Sequence, residues 1–157
     1  MFIFELIELQ IYKGYHIFMN TTQPHNLPEP FTLTDSIKTE IGTVYFYGNF
    51  VVVEMNEGVN VSFKTGFSIL LKGLSILGGK PCIYIANRIH SYSVTPTDYK
   101  YLNKVPSLKG VAIVNHLEST AANTQLEASF CKKPFEVFNS LEEAFQWGEK
   151  TLKSSMR

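Results

Sequence analysis

From residue 81 onward the chain alternates short apolar runs with amphipathic stretches, at 81–88, 96–104, 110–116, 119–131, 135–138 and 141–153. Each such element must bury one apolar face. Repeated strand–helix units of this length therefore predict an α/β layer, with helices packed on a sheet.

The rest of the composition is consistent with one folded unit. At 157 residues the chain is the size of a single domain, and its 45% hydrophobic content with 12 Phe and 8 Tyr excludes disorder. Lys plus Arg and Asp plus Glu each number 14, which removes the long-range field that a nucleic-acid or anionic-membrane binder uses for capture. Neither nucleic acid nor a membrane span is expected as a partner. Cys82 and Cys131 sit in apolar elements, without CxxC spacing or a histidine companion, so they read as buried reduced thiols in a cytoplasmic protein. No metal-ligand spacing, Walker-type loop or cofactor motif occurs: Gly78-Gly79-Lys80 ends a helix instead of joining a strand to one.

The first 30 residues read differently. Residues 1–18 are apolar but broken by Glu5, Glu8, Gln10 and Lys13, so they make neither an export signal nor a membrane span. Met19 follows, a candidate true start, and opens a polar, proline-containing run to Pro30 that reads as a flexible leader. Residues 1–18 are then either a start-site extension or an accessory element docked on the domain. Residues 31–157 are expected to form the single domain.

Within it, residues 43–47 and 50–55 flank Gly48-Asn49, the signature of a hairpin with a type II′ turn. Alternation puts Val44 and Phe46 on one face and Tyr45 and Tyr47 on the other, so both faces must be covered. Phe63, Phe67, Leu70, Leu74 and Leu77 line one side of a helix that starts at Ser62 and stops at Gly78-Gly79. Gly66 and Gly73 lie nearly on one face of it, each unfavourable by about 1 kcal/mol relative to Ala. Close approach to the sheet would offset that cost; a mobile helix is the competing reading. Cys82-Ile83-Tyr84-Ile85 and residues 111–114 are buried strands, Thr95-Pro96-Thr97-Asp98 starts a helix, and Ser140-Leu141-Glu142-Glu143 is a capping box before the closing helix.

This order of elements, with the ending Pro134-Phe135-Glu136-Val137-Phe138-Asn139-Ser140-Leu141-Glu142-Glu143-Ala144-Phe145-Gln146-Trp147, resembles the small bacterial SpoIIAA-like proteins of the STAS and SEC14-type fold group. The resemblance runs from about Ile37 to Leu152. It implies a mixed sheet opened by a β-hairpin, helices packed mainly on one face, and a role in binding or signalling. Characterised relatives are switched by phosphorylation of a serine in an Asp-Ser-Ser-Gly-like turn. The matching region, residues 87–95, offers Ser91, Ser93 and Thr95 but no such turn, so the switch is not expected here.

Ligands of open α/β sheets bind outside the carboxyl ends of the strands. Asn87, Arg88, His90, Ser91 and Ser93 follow one strand, and Asn115, His116 and Ser119 follow the next, so parallel neighbouring strands would bring all of them to one rim. There Arg88 would grip a carboxylate or phosphate and the helix start at Ser119 would present free amides to it. The plain alternative is a pair of solvated loops, with Thr95 and Ser119 serving as caps.

Two functions follow. The preferred one is a non-enzymatic regulatory module that docks a protein partner, with a homodimer covering the aromatic hairpin face. The alternative is a carrier or sensor of a small apolar or anionic ligand, held between helices and sheet by residues such as Phe63, Phe67 and Tyr84. An empty cavity on the order of several hundred Å³ would favour the carrier, and a close-packed interior would oppose it. Catalysis ranks third, since His90 and His116 have no nucleophile in a triad context and no carboxylate neighbour in sequence.

Overall fold

The computed structural model describes residues 23–116 and 121–157. In chain order the first elements are β1 (Asp35–Lys38), β2 (Gly42–Tyr47), β3 (Phe50–Met55), β4 (Asn60–Val61), α1 (Phe63–Leu77) and β5 (Cys82–Arg88). There follow β6 (Ser93–Val94), a 3-10 turn (Pro96–Asp98) leading into α2 (Tyr99–Asn103), β7 (Leu108–Asn115), α3 (Ala121–Phe130), β8 (Phe135–Phe138) and α4 (Leu141–Ser155).

The main sheet has six strands in the order β1-β2-β3-β5-β7-β8. β1, β2 and β3 form an antiparallel meander, and β5, β7 and β8 add in parallel. Gly48 takes φ 60° while no non-glycine residue among the described residues has positive φ, which is the sign pattern of the expected type II′ turn. Three crossovers, β3-α1-β5, β5-α2-β7 and β7-α3-β8, step the same way across the sheet. Because such crossovers are right-handed, they place α1, α2 and α3 on the same face. The closing helix α4 covers the other.

The pleat divides the core accordingly. Val44, Phe46, Val53, Met55, Val111 and Ile113 face α1, α2 and α3, whereas Phe50, Val52, Ile83, Ile85, Ala112 and Val114 face α4. On the α4 side, Phe145 is fully buried, stacked on Phe50 at 4.5 Å and edge-on to Phe31 at 4.8 Å and Tyr47 at 5.4 Å. A Cβ on Gly148 would lie 2.4 Å from the Phe50 ring, and one on Gly110 would lie 2.9 Å from the Trp147 indole. Both positions therefore need glycine for close approach. Ser140 caps α4 as its sequence predicts, its Oγ accepting from the Glu143 N–H at 3.3 Å and donating to the Glu143 carboxylate at 3.0 Å.

Three expectations change. Within the segment read as a flexible leader, His25 bonds to Tyr47 and Glu54 and Leu27 packs on the α4-side core, beside Phe31, the expected first residue of the domain. Residues 1–22 lie outside the described residues. The polar run after Ile85 does not begin a loop, since β5 continues through Asn87 and Arg88, both buried. Finally, β4 and β6 pair in parallel as a separate two-stranded ribbon that no sequence signal announced.

Candidate functional site: a cavity and two polar clusters

β5 and β7 are parallel neighbours in which Asn87 pairs with Val114 and Arg88 with Asn115. The sequence-predicted residues therefore come to one end of the sheet, but strand alternation sends Asn87 to the α4 face and Arg88 to the α1 face.

On the α1 face, Arg88 Nη2 donates to Glu127 Oε2 at 2.6 Å, and the Tyr99 hydroxyl donates to the same oxygen at 2.5 Å. The guanidinium also lies 5.5 Å from the centre of the Tyr92 ring. Arg88 and Glu127 are only 5% and 2% exposed. Burial alone would lower the Arg88 pKa, but the hydrogen bond and charge of Glu127 outweigh it and raise it. Burial, followed by the Glu127 charge, raises Tyr99. Arg88, expected from sequence to grip an anion at the rim, is thus paired through Nη2 with a carboxylate inside the protein. Among the described residues, Arg88 Nε and Asn115 Oδ1 are buried without a hydrogen-bond partner.

Beside this cluster, between α1 and the sheet, is a cavity of about 160 Å³. Its walls are mostly apolar, with Val44, Val53, Met55, Leu74, Tyr84 and Tyr99 among them, and Arg88 and Asp98 contribute the charged groups. The position of α1 explains the gap. Asp98, an acid in the first turn of its own helical segment, also accepts from the Phe63 N–H at 2.9 Å and so caps the start of α1. Phe63 stacks on Tyr101 with ring centres 3.9 Å apart. These contacts fasten the helix start to α2, out over the sheet. Further along, Gly73 leaves room, since a Cβ there would be 3.9 Å from Phe46, an ordinary contact. The Phe67 side chain, expected in such a pocket, lies outside the described residues.

On the α4 face a hydrogen-bonded chain runs from the rim into the leader. Asn87 Oδ1 accepts from His116 Nε2 at 2.8 Å, and Asn87 Nδ2 donates to Glu54 Oε2 at 2.6 Å. His25 Nε2 meets the same Glu54 oxygen at 2.7 Å, and its Nδ1 meets the Tyr47 hydroxyl at 2.6 Å. Burial works to raise the Glu54 carboxyl, but the hydrogen bonds from His25 and Asn87 and the attraction of His25 and His116 hold it below the usual range.

His90, Ser91 and Ser93 belong to neither cluster. His90 is exposed, 3.8 Å from Glu57, and the Ser91 N–H donates to the same carboxylate at 2.8 Å. The Ser93 hydroxyl donates to Asn60 Oδ1 at 2.9 Å, stitching β6 to β4. Ser119 lies outside the described residues. Sequence reasoning missed Glu127, Tyr99, Tyr92, Glu54 and His25. One signal was available: an arginine ending a buried strand calls for a carboxylate partner.

No helix among the described residues is long and apolar enough to cross a membrane. No family model and no curated protein matches the chain. Among solved structures it is similar to an uncharacterised protein of the DUF3478 family with a SpoIIAA-like fold, from Shewanella loihica PV-4. The TM-score is 0.45 at 12% identity, over 80% of this chain and 98% of that one. The mixed α/β architecture of this chain stands on its own strand order and helix placement.

Proposed function

We propose that the domain is a receptor for a small, largely apolar molecule held between α1 and the sheet, which it binds without transforming. The observation that carries this is the cavity. At about 160 Å³ it matches the engineered apolar cavity of about 150 Å³ that takes up benzene or xenon. It falls well short of the volume expected of a lipid carrier, so the ligand is of the size of one aromatic ring. The groups around it also support binding over chemistry. Arg88, Glu127 and Tyr99 hold one another, and burial pushes the Cys82 thiol up to about 11, which makes it a poor nucleophile.

The test is thermal unfolding with and without benzene. At a hundredfold excess over Kd, a ligand of the folded state adds about 2.7 kcal/mol, a shift of several degrees for a domain of this size. Wild type should show the shift. Gly73→Leu, which places a side chain in the gap, should not. An unchanged wild-type melting temperature would refute the proposal.

The regulatory-module reading rests on one observation, the exposed Leu126 and Phe130 of α3 and Val137 of β8. Single exposed apolar side chains are ordinary on protein surfaces, so the cavity carries more weight.

A further inference from the structure

We propose that the free edge of β8 is an interface for a second copy of this chain, the two β8 strands pairing antiparallel about a twofold axis at Val137. The proposal is independent of the cavity and of what fills it.

The argument begins with main-chain groups. β8 ends the strand order of the main sheet, and among the described residues only β7 pairs with it. The Val111 N–H donates to the Pro134 carbonyl at 2.8 Å, so Pro134, Glu136 and Phe138 direct their main-chain groups at β7. Alternation along the strand then sends the N–H and C=O of Phe135 and Val137 outward. Pro134 precedes the strand and removes neither of those donors. The opposite edge of the sheet is guarded, since β1 carries an exposed lysine, Lys38.

Symmetry and charge then select the partner and the register. A twofold axis perpendicular to the sheet keeps each face continuous, so residues that meet across it share a face. An axis at Glu136 would set two carboxylates directly opposite each other, which is unfavourable. One at Phe135 would set Lys132 against Phe138. An axis at Val137 joins the two copies of that residue through their outward groups and sets Glu136 opposite Phe138. It also brings Lys132 of each chain to Glu142 of the other. Both side chains are exposed, whereas the neighbouring Lys133 amine is already tied to the Val105 carbonyl at 2.8 Å. An edge that is basic before the strand and acidic after it complements its own reversed copy, so a second copy of the chain is the occupant that fits. The Val137 side chain, 44% exposed, is covered in the same contact. The aromatic hairpin face, where a homodimer contact is expected from sequence, is closed within the chain: Tyr47 is 3% exposed and Tyr45 meets the His25 ring at 4.8 Å.

The experiment is sedimentation velocity of the full chain from about 10 µM to about 1 mM, because a short edge makes a small and weak interface. The mass should rise from one chain to two. A chain that stays monomeric throughout would overturn the proposal and leave the edge to a strand of another protein. Val137→Lys brings two like charges to the axis without touching the β7 ladder, and should weaken association about tenfold. An undiminished dimer would overturn the proposal by placing the contact elsewhere. Cysteine variants under mild oxidation test the register. Across the proposed axis the Cα atoms of the Val137 pair are about 5.5 Å apart, within disulfide reach, and those of the Glu136 pair about 7–8 Å, beyond it. Val137→Cys should therefore link into a covalent dimer, while Glu136→Cys, like wild type with its native thiols, should not. Both positions are exposed, so neither variant disturbs the core. Linking at Glu136, or at neither position, would overturn the axis at Val137.

Discussion

Against the α4 face of the sheet a methyl group has nowhere to go, whereas against the α1 face there is room for an aromatic ring. Glycine marks both, for opposite reasons. Gly148 and Gly110 let α4 lie so close that a Cβ would overlap Phe50 or Trp147, while Gly73 on α1 has its nearest neighbour at ordinary contact distance. The same sheet thus carries a sealed side and an open side. What separates them is how each helix is fastened. α4 is held along its length by Phe145, Leu152 and Trp147 packing on the sheet, whereas the start of α1 is held by Asp98 and Tyr101 of a neighbouring element. The polar clusters differ in the same way: the α4-face chain ends in the leader and fastens it down, and the α1-face cluster ends at a cavity.

The largest effect expected is at Glu127. Glu127→Ala strands Arg88 as an unpaired buried charge and should lower stability by about 3–5 kcal/mol in urea denaturation. A loss below about 1 kcal/mol would show that Arg88 does not depend on Glu127 as the partner of a buried charge. The glycines give the most direct contrast between faces. Gly148→Ala should destabilise by about 1–3 kcal/mol through overpacking against Phe50, and Gly73→Ala should stabilise by about 0.5–1 kcal/mol through helix propensity alone. Equal signs would erase the distinction between the two sides.

The smallest effect sharpens the α4-face cluster. Glu54 has a folded pKa below its ordinary value of 4.5, so its contribution to stability is complete above about pH 4.5 and is lost as pH falls through the folded value. Stability of Glu54→Gln, measured by urea denaturation from pH 7 to 3, should therefore decline less steeply below pH 4.5 than that of wild type. Matching profiles would remove Glu54 as the anchor of the leader.

Much of this architecture was legible in the residues. Alternation in the hairpin assigned Val44, Phe46, Tyr45 and Tyr47 to their observed faces, and Ser62, Gly78 and Ser140 bounded helices where their chemistry suggests. The site was less legible because it depends on pairs far apart in sequence. Arg88 and Glu127 are separated by 39 positions, and His25 and Glu54 by 29. Asn87 and Arg88 looked like the start of a solvated loop because a polar pair after an apolar run usually is one. In α3 the local pattern misleads further, since apolar Leu126 is 51% exposed while charged Glu127 beside it is 2% exposed. Two walls of the cavity, Phe63 and Tyr84, were named from sequence, but its size was not legible, because it is the space left where α1 is fastened to α2.

The most direct test of an open face opposite a sealed one is methyl-resolved NMR during a benzene titration. Saturable shifts are expected at Val44, Val53 and Met55, with Val52, Ile85 and Val114 unmoved. Absence of saturable shifts, or shifts centred on the residues beneath α4, would contradict the account.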